Sequence, residues 1–264
     1  MLFDAQPENH LATGSQEHSI AQATGFFWKR KNRTYLITNW HVLCGREPET
    51  GQPKNGDGLL PDRVRFPMWK RANIAHLGFF DASLKNFDGS NCWLEHPKLG
   101  CKIDIAALRI PNLGVLRDFL FEPYIVHSIN NLYNQINMAV GVGSDVFVLG
   151  FPYGMRNTGV YPIWKRGSVA TEFDYPVKEL PCFLVDTATR EGMSGSPVIQ
   201  RAQGMYLSVS GCIMVGEGKT TRFLGVYSGR YIGQTVQEAQ LGIVWKPELI
   251  EEILQGQQIG SSEL

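Results

Sequence analysis

The chain has 264 residues, 43% of them hydrophobic and 19% charged, which provides enough apolar material for a sizeable core and excludes a compositionally disordered protein. Basic and acidic residues balance at 25 each, and a formal net charge of zero excludes a general electrostatic attraction to nucleic acid or to anionic lipid. No apolar run approaches the ~20 residues of a membrane helix, and the first residues lack the pattern of a secretory signal.

Short strands, rather than helices, are predicted along the first half of the chain. Residues 25–42, GFFWKRKNRTYLITNWHV, are typical of a hairpin whose two β-rich runs flank a basic turn at 29–33. We interpret this turn as a solvated hairpin tip and not as a nucleic-acid site. A loop of turn-forming residues is expected at 45–58. Further strands are predicted at 62–67, 75–80 and 103–110.

The second half continues the same pattern after an amide-rich connector at 129–140. Strands are predicted at 145–150, 165–171, 182–186, 196–200, 206–215, 221–227 and 241–244. A short amphipathic helix is predicted at 247–254, followed by ten polar residues expected to fray. Many short strands separated by turns indicate an all-β protein built of barrels or a sandwich.

Cysteine usage bears on the compartment. The chain has 5 cysteines, an odd number without a close C-x-x-C pair. This argues against a disulfide framework and against a structural zinc site, so no metal is expected. A reducing, cytoplasmic location is the simpler interpretation.

Candidate chemistry is concentrated in three segments, TNWHV at 38–42, KIDIAAL at 102–108 and REGMSGSP at 190–197. A serine hydroxyl needs a base to take its proton, and acyl transfer needs donors directed at the oxyanion. Gly192 lets the backbone turn tightly before Ser194, so the amides of Gly192 and Ser194 are the predicted oxyanion hole.

His41 is the predicted base, because the other histidines lie in a polar N-terminal arm or have no supporting motif. Asp104 is the predicted orienting acid, because an aspartate between isoleucines is costly to bury unless it is paired. The chain order His, Asp, Ser excludes an α/β-hydrolase, in which the serine comes first in a G-x-S-x-G turn. Here Ser196 occupies the last glycine position of that turn.

With these residues the chain resembles the trypsin-like, chymotrypsin-fold serine peptidases, and most closely the protease domain of the bacterial Deg/HtrA branch. The matching segments are ATGFFW, TNWHV, DIAAL, VLGFPYG, KRGSVAT, LVDTATREGMSGSPV, FLGVYSG and LGIVWKPELI. The resemblance implies two six-stranded antiparallel β-barrels with a catalytic triad, His41, Asp104 and Ser194, in the cleft between them.

The resemblance also implies a domain organisation. Residues 1–22 would be an N-terminal arm, 23–128 the first barrel with His41 and Asp104, 129–140 the connector, 141–246 the second barrel with Ser194, and 247–264 a C-terminal helix and tail. No PDZ-like domain is expected to follow. Met193 stands where digestive enzymes carry an aspartate that pairs with a newly cleaved N-terminus, so that zymogen switch is not expected.

The same resemblance implies a pocket for the substrate residue before the scissile bond. Its lining would be Thr187, Ala188, Thr189, Ser228, Gly229, Arg230 and Gly242. Ala188 at the pocket base replaces the aspartate that selects basic residues in trypsin, and Gly242 is expected to leave the pocket open.

The leading hypothesis is a serine endopeptidase that acts on polypeptides through an acyl-enzyme and needs no cofactor. A regulatory protein partner is a further candidate. Two alternatives remain open: a catalytically silent pseudo-protease that binds peptides, and an esterase or acyltransferase with the same triad. No nucleic-acid or membrane partner is expected.

Overall fold

A computed structural model describes residues 2–7, 21–70, 73–110, 119–120, 138–155, 161–230 and 240–261. Within these ranges the secondary structure is mostly strand, with two α-helices and one 3₁₀ turn. We refer to residues 2–120 as the first half and to residues 138–245 as the second half.

The first half contains nine of the described strands and one short helix, and its strands form two antiparallel sheets. The elements are β1 (Leu2–Pro7), β2 (Ala21–Thr24), β3 (Phe26–Arg30), β4 (Arg33–Thr38), α1 (Trp40–Cys44), β5 (Pro61–Lys70), β6 (Asn73–Ser83), β7 (Trp93–Glu95), β8 (Ala106–Arg109) and β9 (Phe119–Leu120). One sheet has the order β2-β1-β5-β6, with β9 also paired to β5.

The second half forms a closed six-stranded barrel among the described residues. Its elements are β10 (Asp145–Gly150), a 3₁₀ turn (Pro152–Gly154), β11 (Ile163–Val169), β12 (Cys182–Asp186), β13 (Pro197–Leu207), β14 (Ile213–Arg230) and β15 (Leu241–Trp245). The order around the barrel is β10-β11-β12-β15-β14-β13. Helix α2 (Glu248–Gly256) and strand β16 (Gln258–Ile259) follow, and β16 completes the other first-half sheet, β16-β7-β8-β4-β3.

The all-β, trypsin-like architecture predicted from the sequence is confirmed, including the short C-terminal helix. Strands β10 and β12 begin and end at the predicted residues, and the hairpin of β3 and β4 encloses the predicted basic turn. The barrel of the second half has the six strands expected. In the first half, the nine described strands form one sheet of five strands and contribute four strands to a second sheet, whose fifth strand is β16.

Two predicted strands include a turn in the structure. The prediction at 103–110 shortens to β8, because Ile105 N–H bonds to the nearby Ile103 carbonyl in a turn. The prediction at 206–215 crosses a turn in which Gly211 N–H donates to Ser208 O, so its two ends belong to β13 and β14.

The two chain ends are more structured than the sequence suggested. Leu2–Pro7, assigned to the arm, pairs with β2 and β5 as an internal strand of its sheet. Near the other end, Gly260 N–H donates to Trp93 O, and Gly260 packs so closely on the Trp93 ring that a side chain would overlap it. The expected fraying of the tail is therefore wrong for Gln258–Ile259. The connector at 129–137 lies outside the described residues.

Three apolar clusters form the interior. One lies within the first half and one within the second-half barrel. The third joins the halves: Phe26 and Trp28 of β3 pack against Phe223 of β14, with ring centroids 5.6 and 5.8 Å apart. The apolar face of α2 completes this cluster with Leu249, Ile250, Ile253 and Leu254. Burial of this shared surface holds the halves in a fixed relation, which a site between them requires.

Polar contacts anchor α2 to the first half. Trp28 Nε1 and Arg30 Nε donate to the Glu251 carboxylate at 2.8 and 3.0 Å.

None of the helices in the described residues is long and apolar enough to cross a membrane. In the same residues, no three His, Cys, Asp or Glu side chains group as metal ligands would.

Thiol reactivity tests the packing of the interior. Burial raises the pKa of the Cys44 thiol to about 12 and that of Cys182 to about 11, whereas Cys212 is exposed. Because the thiolate is the reactive form, iodoacetamide at pH 8 should modify Cys212 rapidly and leave Cys44 and Cys182 unmodified in the folded protein. Peptide mass mapping with and without urea measures this. Equal modification of all three thiols before unfolding would contradict the fold.

Candidate active site

His41 and Asp104 meet at the end of the hairpin sheet. His41 is the second residue of α1, which begins two residues after β4, and Asp104 lies just before β8, the strand that pairs with β4. The His41 Nδ1 and Asp104 Oδ2 atoms are 2.7 Å apart, and the His41 backbone N–H donates to Asp104 Oδ1 at 2.9 Å. With Nδ1–H donating to the carboxylate, the neutral ring keeps its lone pair on Nε2.

Asp104 is buried, with 5% of its surface exposed. Burial alone acts to raise the pKa of this group. The charge of His41, together with hydrogen bonds from His41 and Ser228, outweighs burial and holds the pKa below its ordinary value. The carboxylate therefore stays ionised at neutral pH and can stabilise a positively charged His41.

Two further side chains hold Asp104. Ser228 Oγ donates to Asp104 Oδ2, so the second-half barrel reaches directly into this pair. Asn39 is fully buried, and its Nδ2 donates to the Asp104 backbone carbonyl at 2.6 Å. The backbone and the carboxylate of Asp104 are thus fixed by three residues from two segments, Asn39 and His41 from one and Ser228 from the other.

Ser194 reaches the same region through backbone contacts between the halves. Thr24 N–H, at the end of β2, donates to Ser194 O at 2.8 Å, and Gly195 N–H donates to Tyr227 O at 2.8 Å. A side chain on Gly195, whose φ is +82°, would overlap Thr24 O and Thr38 Oγ1. Since Thr38 ends the strand before His41, and Tyr227 precedes the Ser228 that binds Asp104, these contacts bring Ser194 alongside the His41–Asp104 pair.

Among the described residues, the Ser194 hydroxyl makes no hydrogen bond to His41. Ser194 is partly exposed, whereas the His41 side chain is nearly buried. In serine-dependent sites without substrate, this contact is often long and tightens when substrate binds.

The loop before Ser194 has each of its carbonyls engaged. The carbonyls of Glu191, Gly192, Met193 and Ser194 accept hydrogen bonds from Tyr153 N–H, Thr24 Oγ1, Ser196 N–H and Thr24 N–H, at 2.8, 2.8, 3.1 and 2.8 Å. In contrast, the N–H groups of Gly192 and Ser194 donate to no protein acceptor within the described residues. These two amides, on either side of the Met193 amide, are therefore available to a ligand oxygen.

The free amide of Gly192 depends on the 3₁₀ turn. A trans peptide places C=O and N–H on opposite sides, so the Tyr153 N–H bond to Glu191 O directs Gly192 N–H the other way. Gly192 has a φ of +88°, and a side chain there would overlap Phe151 O. A glycine is required at this position both for the conformation and for the close approach.

Two of the residues expected to line the substrate pocket are occupied elsewhere. Thr187 Oγ1 donates to Arg166 O at 3.3 Å, and Thr187 packs against Gly167 of β11. The Ser228 hydroxyl donates to the Asp104 carboxylate that is paired with His41. Ala188 is partly exposed, and Gly229 has open space where a side chain would lie. The Arg230 side chain lies outside the described residues.

The expectation that Gly242 leaves the pocket open is not met, because the Tyr227 ring lies against Gly242. A side chain at Gly242 would overlap this ring, and the Tyr227 hydroxyl is hydrogen-bonded to Thr189 Oγ1. Tyr227 is only 2% exposed and packs in the core of the second-half barrel. The space between Thr189 and Gly242 is therefore filled by a side chain of the protein itself.

The sequence analysis did not assign roles to Thr24, Asn39, Tyr153 or Tyr227. Thr24 and Asn39 lie in the motifs ATGFFW and TNWHV, where a polar residue among apolar ones is a weak signal for a buried hydrogen bond. Tyr153 acts through its backbone, and Tyr227 through packing, and neither property leaves a sequence signal.

The fold is that of trypsin-like peptidases, and comparison with known proteins agrees. The model of the family described as trypsin-like peptidase domain matches residues 23–207. The chain is similar to the Rv3671c protease of M. tuberculosis in its active form, with 16% identity, a TM-score of 0.47, and coverage of 98% of this chain and 81% of that chain. For the inactive form of the same protease the identity is 16%, the TM-score 0.45, and the coverage 98% and 89%. No curated protein gives a significant match.

The chain belongs to the trypsin-like peptidase family and is a serine peptidase.

Glycine 195 provides a test of how closely the halves approach. We expect Gly195→Ala to destabilise the protein by about 2–4 kcal/mol, because a methyl group overlaps Thr24 O and adopts an unfavourable positive φ. Urea unfolding measures this. The matched control is Gly204→Ala, at a similar φ of +78° but in open space, with an expected cost of about 1 kcal/mol. Equal costs for the two variants would contradict the close approach.

Proposed function

We propose that this protein is a serine endopeptidase that cleaves polypeptides through an acyl-enzyme, with His41, Asp104 and Ser194 as its catalytic residues. The observation that carries the proposal is the convergence of the ionised Asp104–His41 pair with a serine loop whose Gly192 and Ser194 amides are unoccupied. Trypsin-like sites require both features.

The chemistry follows from the proton positions. His41 Nε2 takes the proton from Ser194 Oγ as this oxygen attacks the carbonyl carbon of the scissile bond. The resulting oxyanion accepts hydrogen bonds from the Gly192 and Ser194 amides. The C–N bond then breaks, and His41 passes its proton to the leaving amine. Water repeats the sequence on the acyl-enzyme, and the carboxylic acid product and free Ser194 are released.

Electrostatics favour this course. The buried, ionised Asp104 stabilises the positive charge on His41 in both steps, and its bond to Nδ1–H keeps the lone pair on Nε2. The backbone amides are held in place before the reaction, so they need no reorganisation as charge develops. Loss of one such donor typically costs roughly 10²–10³-fold in kcat.

The pocket for the residue before the scissile bond is proposed to be shallow. Tyr227 and Thr189 fill the space beneath it, and Gly242 supports the Tyr227 ring. A substrate with a small residue such as alanine, serine or valine would fit, whereas a bulky aromatic or a long basic residue would collide with Tyr227. Ala188 offers no charge to attract a basic side chain.

A fluorophosphonate probe tests the nucleophile. Covalent addition to the wild-type protein and none to Ser194→Ala is expected, because only an activated serine attacks the phosphorus atom. Intact mass spectrometry measures the addition. Circular dichroism on both proteins verifies that they are equally folded.

The outcomes separate the alternatives. Folded wild-type protein that takes up no probe contradicts the proposal and favours a peptide-binding pseudo-protease. Labelled protein that hydrolyses an ester but no peptide favours an esterase or acyltransferase. Cleavage of an unfolded polypeptide by wild type, and not by Ser194→Ala, supports the endopeptidase.

Replacement of Tyr227 should change substrate preference. Wild type is expected to favour alanine over phenylalanine before the scissile bond by at least about 10-fold in kcat/KM, and Tyr227→Val should remove or reverse this preference because the pocket deepens. A peptide series that differs only at this residue measures it.

The control is Tyr227→Phe, which keeps the ring against Gly242 and loses only the hydroxyl. This variant should retain the preference of wild type. A wild-type enzyme that accepts phenylalanine as well as alanine would contradict the shallow pocket, whatever the behaviour of the variants.

A further inference from the structure

Thr24, at the end of β2, is a fully buried residue whose polar groups are all engaged at the boundary between the halves. Its carbonyl accepts a hydrogen bond from Thr38 Oγ1 at 2.9 Å, within the first half. Its other groups cross to the second half and bond to the loop around Ser194. A threonine of the first half thus contacts the serine loop through both its backbone and its side chain.

The Thr24 hydroxyl has two partners. It donates to Gly192 O at 2.8 Å and accepts from Phe151 N–H at 3.2 Å. Through this one oxygen the serine loop is connected to Phe151, which precedes the 3₁₀ turn. The Thr24 N–H donates to Ser194 O at 2.8 Å, so the residue holds the carbonyls on both sides of Met193.

These bonds determine how the loop can turn. The conformation of Gly192 is set by the two peptide planes that meet at its Cα. Tyr153 N–H holds one plane through Glu191 O, and the Thr24 hydroxyl holds the other through Gly192 O. Because each peptide is planar, the Tyr153 bond sets the direction of the Gly192 N–H, and the Thr24 bond sets the plane that follows Gly192. Together the two bonds fix the φ of +88° and hold the path of the loop from the Gly192 amide toward Ser194. Glycine has no side chain to restrict these rotations, so the restriction comes from its neighbours.

Close packing leaves this arrangement little freedom. A side chain on Gly150 would come within 3.0 Å of Thr24 Oγ1, and one on Gly195 would overlap Thr24 O. Gly150, at the end of β10, and Gly195, after Ser194, therefore both lie so close to Thr24 that neither position has room for a side chain. If Thr24 only filled space, a residue of the same shape without a hydroxyl would serve equally well.

We propose that Thr24 is a positioning residue for the oxyanion-binding amides, with its hydroxyl locking the Gly192–Met193 peptide and its N–H locking the Ser194–Gly195 peptide. The inference rests on the proposed peptidase function. Thr24 contacts neither the nucleophile's oxygen nor the substrate, and it acts through the serine loop.

The test compares Thr24→Val with Thr24→Ser. Valine has the shape of threonine without the hydroxyl, and serine retains the hydroxyl. Both variants keep the N–H bond to Ser194. Inactivation by a fluorophosphonate is measured over a range of probe concentrations, which separates probe binding (KI) from the covalent step (kinact). The matched control is Thr171→Val, which removes a threonine hydroxyl that accepts Leu184 N–H at 2.9 Å elsewhere in the second half.

For Thr24→Val we expect kinact to fall by roughly 10- to 100-fold with KI changed less than about 3-fold, a loss below that of removing an oxyanion donor outright. Thr24→Ser and Thr171→Val should react within about 3-fold of wild type. General unfolding would instead lower the fraction of protein labelled and leave the rate of the remainder unchanged.

Labelling of Thr24→Val at the wild-type rate would overturn the inference, as would a loss that Thr24→Ser does not restore. Wild-type protein that is not labelled at all would instead contradict the peptidase function itself. If circular dichroism shows Thr24→Val to be unfolded, Thr24→Cys takes its place, because a thiol is a weak donor of similar volume. An intermediate kinact is then expected, and a folded Thr24→Cys that reacts like wild type overturns the inference.

Discussion

The burial of the Asp104 carboxylate is the constraint on which the site depends. An ionised group with 5% exposure is tolerable only where hydrogen bonds replace water, and here His41 supplies two and Ser228 one. The donors come from both halves of the molecule, so the charge is stable only when the halves are docked. The halves dock through the shared apolar cluster around Phe223. Docking also requires a glycine at position 195, because a side chain there would overlap Thr24 O. The stability of the Asp104 charge, the packing of the apolar cluster around Phe223 and the close backbone contact at Gly195 therefore depend on one another.

Much of the fold could be predicted because strand periodicity and turn residues are local signals. The β3–β4 hairpin and strands β10 and β12 illustrate this. What could not be predicted depends on partners distant in the chain. Leu2–Pro7 is too polar and short to indicate a strand alone, and it becomes one by pairing with β5. Gln258–Ile259 likewise becomes a strand only against β7.

For the candidate site, the sequence predicted His41, Asp104 and Ser194 as the catalytic groups, because each stands in an unusual setting. The supporting residues were missed or misassigned for physical reasons. Ser228 was expected to face substrate and binds Asp104, a choice set by the docking of two segments. Gly242 suggested an open pocket, but a glycine shows only that something approaches closely, and here it is the Tyr227 ring. The volume of a pocket and the distance between two side chains depend on how two segments pack together. Neither quantity can be predicted from the sequence of one segment.

Strand β16 has a consequence for the order of events during synthesis. Strand β7 of the first half obtains one of its two neighbours from residues 258–259, and Asp104 obtains one of its hydrogen bonds from residue 228. While a chain grows from its N-terminus, domains generally fold as they emerge. Here the half that emerges first obtains part of its sheet pairing and part of its hydrogen bonding from residues that are synthesised later. A nascent chain that has emerged only as far as its first half would therefore carry His41 and Asp104 before the Ser194 loop, the Ser228 hydrogen bond and strand β16 are available.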